Sequence, residues 1–185
     1  MKILPVSDLP VINGERVSLR PITDADTDNI VKWRNNPDVY RYFIFREKFT
    51  PEMHRSWLST RVLTGQVVQY IILAGEERRA VGSVYLRDID HKHESAEYGI
   101  FIGDDSFRGQ GVGTETAKLF TDFALDVLGV HRVFLKVLDG NVKARRSYEK
   151  AGFVYEGTFR DMVKLDGEFH DVVFMAKING GSENE

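Results

Sequence analysis

Between Arg16 and Pro21 apolar and polar residues alternate, Val17 and Leu19 against Arg16, Ser18 and Arg20. Successive strand side chains point to opposite faces, so this pattern predicts a strand. Thr23-Asp-Ala-Asp26 then reads as a capping box with aspartate in the reciprocal place. It opens a helix through Ile30, Val31 and Trp33 that Asn35-Asn36-Pro37 should end. Thr50-Pro51, a cap followed by proline at the first helical position, starts a second helix carrying Met53 and Trp57 one turn apart. Val67 to Leu73 and Ala80 to Arg87 read as strands around the polar turn Gly75 to Arg79. Ser95 to Ile102 is a further strand, followed by a glycine-rich turn and a helix from Glu115 to Leu128. In that helix Ala117, Phe120, Ala124 and Val127 recur at helical spacing and give one buried face, with Gly129 as its C-terminal cap. His131 to Leu138 is a strand, Asn141 caps a helix that ends at Gly152, and two last strands flank Asp166-Gly167, a strong short hairpin signal. The predicted order is β-α-α-β-β-β-α-β-α-β-β, an α/β chain without internal repeats or a Pro/Ser-rich linker.

Composition narrows the class. The chain has 185 residues, enough for one well-packed domain and short for two. A formal charge of −3 gives no electrostatic reason to bind nucleic acid. No apolar run approaches the ~20 residues that span a bilayer, and Met1-Lys-Ile-Leu-Pro-Val does not read as a signal peptide. Cysteine is absent, which excludes disulfides, thiolate metal sites and an acyl-cysteine intermediate, and is compatible with a cytoplasmic protein. Residues after Asn179 (Gly-Gly-Ser-Glu-Asn-Glu) read as a disordered tail, leaving residues 1–179 as the domain and 180–185 as the tail.

The most informative stretch is Arg108-Gly-Gln-Gly-Val-Gly-Thr114. A strand, a glycine turn and a helix in immediate succession make an anion cradle, because glycine permits close approach and first-turn N–H groups can hold a phosphate. The spacing is neither that of a P-loop nor that of a dinucleotide fingerprint. Arg108-x-x-Gly111-x-Gly113 resembles the Arg/Gln-x-x-Gly-x-Gly/Ala signature of the GNAT N-acetyltransferases. A second block, Asn141-Val-Lys-Ala144-Arg-Arg-Ser-Tyr148-Glu-Lys-Ala-Gly152-Phe153, is similar to the family's Asn-x-x-Ala-x-x-Leu/Ser-Tyr-x-x-x-Gly-Phe. Ser147 stands where leucine is commoner, an exchange expected to weaken packing of that helix slightly. The resemblance runs from about Arg16 to Lys177. It implies the GNAT fold, a single α/β domain with a mixed central sheet of about six to seven strands flanked by about four helices. It also implies acetyl-CoA as co-substrate, transfer by direct attack of a primary amine, and the possibility of a homodimer.

The resemblance distributes roles over particular residues. Gly109, Gln110, Gly111, Val112, Gly113 and Thr114, with Arg108, would cradle the pyrophosphate. Backbone N–H groups of Phe101 to Gly103, Ile102 included, would meet the acyl oxygen and the pantetheine arm. Asn141 either only caps its helix or also bonds that arm. Tyr148 matches the family's acid. A phenol of pKa ~10 stays protonated at neutral pH and can donate to a departing alkyl thiolate; the alternative is that it merely packs beside Ala144. Glu97 is the candidate base, acting through water or holding the ammonium, and the alternative is a strand carboxylate paired with an arginine. Glu94 is a weaker candidate. Lys143, Arg145 and Arg146 either reach phosphates or are solvated. His91 and His93 lack a third ligand at metal-site spacing, and no metal is expected.

The acceptor side offers Trp33, Arg34, His54 and Trp57 as substrate-binding candidates. Lys32-Trp-Arg-Asn-Asn-Pro-Asp38 and Thr50-x-Glu-x-His54-x-x-Trp57 resemble acetyltransferases acting on nucleotide-linked amino sugars of the pseudaminic-acid type, with Arg34, Arg41 or Arg46 suited to a diphosphate. In the other reading the aromatics close the core and the arginines are solvated. The same region resembles ribosomal-protein N-terminal and spermidine acetyltransferases, the alternatives to the amino-sugar reading. A silent acyl-CoA-binding sensor is the alternative of another class.

Overall fold

The computed structural model describes residues 4–180. The expected tail therefore lies outside the described residues from position 181 onward, as does the start of the segment read against a signal peptide. Eight strands form one sheet: β1 (Ile12–Asn13), β2 (Val17–Pro21), β3 (Val68–Ala74), β4 (Arg79–Asp90), β5 (Ser95–Ile102), β6 (Arg132–Leu138), β7 (Val154–Leu165) and β8 (Glu168–Ile178), in the order β1-β2-β3-β4-β5-β6-β8-β7. Five α-helices accompany them: α1 (Thr27–Arg34), α2 (Pro37–Tyr40), α3 (Pro51–Trp57), α4 (Val112–Asp126) and α5 (Val142–Lys150). Among the described residues, no helix is long and apolar enough to cross a membrane.

The sheet exceeds the expected six to seven strands by β1, a two-residue edge that pairs Ile12 with Leu19. The fifth helix arises at Asn36-Pro37. Proline ends α1 as expected, but Asn36 also accepts a hydrogen bond from the Asp38 N–H, so the same residues cap and open α2. Asp166 and Gly167, both at positive φ, make the β7–β8 turn where the sequence predicts it.

The strands are buried on two faces. From β3, Tyr70, Ile72 and Ala74 join a core with Ala117, Phe120 and Ala124 of α4. Ile71 points the other way, toward Ile30, Trp33, Val39 and Leu58 of the N-terminal helices. All neighbouring strands are antiparallel except β5 and β6. These two pair in parallel over three positions only, Ser95 with Arg132, Ala96 with Val133 and Glu97 with Phe134. Beyond Glu97 the strands part, and the backbone edge of β5 from Tyr98 to Ile102 has no strand partner on the β6 side. A gap thus opens in the sheet beside the residues that lead into the glycine turn.

Candidate active site

The glycine turn stands at the end of that open edge. Gly109 and Gly111 both have positive φ, 76° and 83°, conformations that side-chain-bearing residues adopt only with strain. Gly111 is also the N-cap of α4, and no side chain satisfies the first-turn N–H groups there. A Cβ at Gly109 would meet nothing within 4 Å, so the turn is open to an outside ligand. Free N–H groups, the positive end of a 15-residue helix and an open glycine backbone fit an extended anion such as a diphosphate. Arg108 makes its contacts within the turn. Its guanidinium donates to the Ile102 carbonyl (Nη2, 3.1 Å) and pairs with Asp105 (2.8 Å), bracing the turn from inside. Arg16 holds it from the other side through the Gln110 carbonyl (3.1 Å).

Of the three N–H groups expected to face the acyl oxygen, that of Gly103 donates to the Val81 carbonyl at 2.8 Å and is used up. Strand N–H groups alternate in direction, so Phe101 shares the orientation of Gly103, toward β4, while Ile102 points to the gap. Phe101 itself is a core aromatic, set edge-on against Trp33 and Phe43.

Tyr148 lies on α5, half-buried, with its ring edge-on to Tyr98 (6.0 Å) and to Phe153 (5.9 Å). Asn141 fixes the start of this helix by accepting from the Ala144 N–H (3.3 Å). Burial pushes the Tyr148 phenol above its ordinary pKa, and Tyr85 pushes it further. Tyr85 comes from the opposite face of the sheet. Its ring lies across Gly99, where a Cβ would stand 2.3 Å from the ring, so this glycine is what lets the tyrosine cover β5. No motif pointed to Tyr85.

Glu97 is 4% exposed and forms the centre of a charge cluster. It accepts from Arg87 of β4, its register partner (Nε, 3.2 Å), and from Lys136 of β6 (2.8 Å). Two cations thus hold this carboxylate, the arrangement of the paired alternative. Glu94, the second candidate, ends the β4–β5 turn and its carbonyl anchors the start of β6 by accepting from His131 and Arg132.

Three of the four acceptor candidates make contacts within the fold. Trp33 is 5% exposed and packs flat on Gly103, where a Cβ would stand 2.0 Å from the indole. His54 is buried, bonded through Nδ1 to Thr27 Oγ1 (2.9 Å), and ties α3 to α1. Trp57 donates to Gln69 (2.8 Å), which donates to Ser83 (3.0 Å), a polar chain beneath the sheet. Each of the three thus has a packing or hydrogen-bonding role within the fold, as suits a helix-borne aromatic or histidine that faces a sheet. Arg34 alone stays on the acceptor face. Its guanidinium stacks on Phe43 (5.1 Å) and Phe49 (4.4 Å). A cavity of 390 Å³ is lined by Arg41, Arg46, Asn141 and His170 among others.

Comparison with known proteins agrees with this geometry. The family described as acetyltransferase (GNAT) domain matches residues 16–154. The spermidine N(1)-acetyltransferase of Escherichia coli (strain K12) is 30% identical over 163 residues, covering 88% of this chain and 86% of its own. A Bacillus subtilis (strain 168) protein, provisionally named ribosomal N-acetyltransferase YdaF, is 31% identical over 180 residues, 93% of this chain and 96% of its own. Among solved structures, the spermidine N-acetyltransferase of Vibrio cholerae with CoA and spermine superposes with a TM-score of 0.84 at 23% identity, over 90% of this chain and 98% of that one.

Proposed function

The chain belongs to the GNAT acetyltransferase family and is an acetyl-CoA-dependent N-acetyltransferase; from that premise we propose that a small-molecule primary amine enters the gap between β5 and β6 and that Tyr148 is the acid of the reaction. Acetyl-CoA supplies the activated acetyl group. The amine nitrogen forms the new bond to the acetyl carbon, the bond to sulfur breaks, and the sulfur takes the phenolic proton of Tyr148. The proton lost by the amine leaves through water and restores the phenol. The Ile102 N–H is the donor best aimed at the developing oxyanion, and preorganised backbone donors of this kind contribute strongly to acyl transfer. Glu97 fixes Arg87 and Lys136 beside the amine.

The observation that carries this reading is the meeting of three features at one gap: the unpaired edge of β5, the uncapped start of α4 and the buried phenol of Tyr148. Of the acceptors expected from the sequence, the names of the relatives support a polyamine over a nucleotide-linked amino sugar. The proposal is made at the level the two share, a small soluble amine. Self-association and a cytoplasmic location, where acetyl-CoA and soluble amines meet, belong to the same reading; the exposed Tyr155 and Phe159 on edge strand β7 support the former.

The test is to follow free thiol from acetyl-CoA with a panel of polyamines, amino sugars, amino acids and peptide N-termini. Amine-dependent thiol release that ceases in Tyr148→Phe supports the reading. Tight acetyl-CoA binding with no release for any amine would instead favour the sensor alternative.

A further inference from the structure

Arg34 is a cation without an anion. It closes α1, and among the described residues no carboxylate pairs with it and no hydrogen bond uses its nitrogens. Its Nε is sealed from solvent with no partner. The rings of Phe43 and Phe49 take the face of the guanidinium, but the N–H groups radiate in its plane, and no aromatic face satisfies them. Burial lowers the Arg34 pKa, Tyr85 opposes that, and Arg87 adds to it as a like charge. Tyr85 influences Tyr148 in turn. Geometry brings Arg34 to the same stretch of β5: Phe43, on which it stacks, is edge-on to Phe101 (5.7 Å), two residues from the Gly99 that Tyr85 covers.

The neighbours do not supply the missing charge. Arg87 and Lys136 share one buried carboxylate, Glu97, and Arg87 has only the exposed Asp88 besides, at 3.7 Å. On the helical side Asp26 is held by the Arg20 fork (2.6 and 2.8 Å) and Asp24 faces Arg55, which leaves the exposed Asp28 of α1 as the carboxylate open to solvent there. Cations therefore outnumber buried carboxylates on the acceptor face of β4, β5 and β6. A guanidinium edge is matched in shape to a carboxylate or phosphate, which accept two parallel hydrogen bonds.

From this cluster we propose that the acceptor amine carries an anionic group, carboxylate or phosphate, which seats on the edge of Arg34 beside Arg87 while the amine lies in the β5–β6 gap. The proposal rests on the acetyltransferase reading and narrows its substrate class: the amine and the anion belong to one compact molecule, and this chain differs in acceptor charge from its spermidine-acetylating relatives.

The experiment compares matched pairs that differ only in the anion: β-alanine with its amide, phosphoethanolamine with ethanolamine, and glucosamine 6-phosphate with glucosamine, with spermidine alongside. Wild-type kcat/KM should favour the anionic member of at least one pair about tenfold or more, the effect of one charged hydrogen bond. The carboxylate and phosphate pairs identify which anion is read. Arg34→Met keeps the apolar stem between the two phenylalanines and should erase the preference, bringing kcat/KM for the anionic member down to that for the neutral one. Arg34→Lys, which keeps the charge without the fork, should retain part of it and covers the case in which the methionine variant does not fold. Preference for spermidine or for the neutral members by the wild type would overturn the anion proposal and leave the acetyltransferase reading intact, as would an unchanged preference in a folded Arg34→Met protein. Failure to acetylate any amine while acetyl-CoA still binds would overturn both.

Discussion

The hydroxyls of Thr114 and Ser147 lie 2.7 Å apart and join the helix that begins at the glycine turn to the helix that carries Tyr148. Leucine, the commoner residue at position 147, has no group to offer Thr114. The exchange that sequence reasoning took as a small packing loss is thus a polar link between the two helices. A double-mutant cycle with Thr114→Val and Ser147→Ala should show a coupling of about 1 kcal/mol in urea unfolding. Strict additivity would mean that the bond is not made in solution.

The two glycines of the turn should respond differently. Alanine at Gly111 must adopt a φ near 83° and approach Arg16 Nη1 at 3.0 Å, whereas alanine at Gly113 meets only Ser147 Oγ at 3.8 Å. Gly111→Ala should cost about 1–2 kcal/mol in stability and weaken acetyl-CoA binding about tenfold or more by displacing N–H groups. Gly113→Ala should leave stability and affinity near wild type. Calorimetry giving both variants wild-type affinity would remove the cradle from this turn.

Replacing Tyr148 by phenylalanine keeps the ring against Tyr98 and Phe153 and removes only the donor. Turnover should fall roughly 10²-fold or more, the lower end for general acid–base catalysis, with the KM for acetyl-CoA little changed. Because burial raises the phenol above its ordinary range, the wild-type rate should show no fall near pH 10 from ionisation of this residue. Wild-type turnover in the phenylalanine variant would pass the role to water.

His54 predicts a pH-dependent stability. Burial lowers its pKa below 6.5, with Arg34 and Arg55 acting in the same direction against Asp24 and Asp26. Below pH 6.5 the unfolded chain takes a proton that the folded chain refuses, so the stability present above that pH is lost progressively as the pH falls toward the folded pKa. The slope from this residue cannot exceed about 1.4 kcal/mol per pH unit. Urea unfolding of wild type and His54→Gln between pH 5 and 8 should show the slope in the first and a shallower one in the second. Parallel curves would assign the acid sensitivity to other groups.

Much of this was legible in advance because it is local. Strand β5 spans Ser95–Ile102 in sequence and structure alike, and the cap at Asn141 and the hairpin at Asp166-Gly167 follow from turn chemistry. Strand β1 was invisible, since two residues carry no period. Trp33, His54 and Trp57 are ambiguous in sequence because an aromatic or histidine on a helix suits a core and a binding site equally. Tyr85, Arg87 and Lys136 escaped because alternating polar residues on a strand read as a solvated face. Only the pairing that sets Tyr85 opposite Gly99 and Arg87 opposite Glu97 shows that this face is interior.

The three-position pairing of β5 with β6 has a mechanical consequence. On one side of it lie β1–β5, on the other the β6–β8–β7 meander, and the continuous ladder between them is three residues long. Such a seam is where a native protein opens first, each side behaving as a cooperative unit of its own. Amide hydrogens on the β5 side of β6, at Phe134 and Lys136, should exchange sooner than those at the centre of β3. A bound molecule spanning α4 and α5 clamps both units together, so substrate binding and resistance to local opening rise in step.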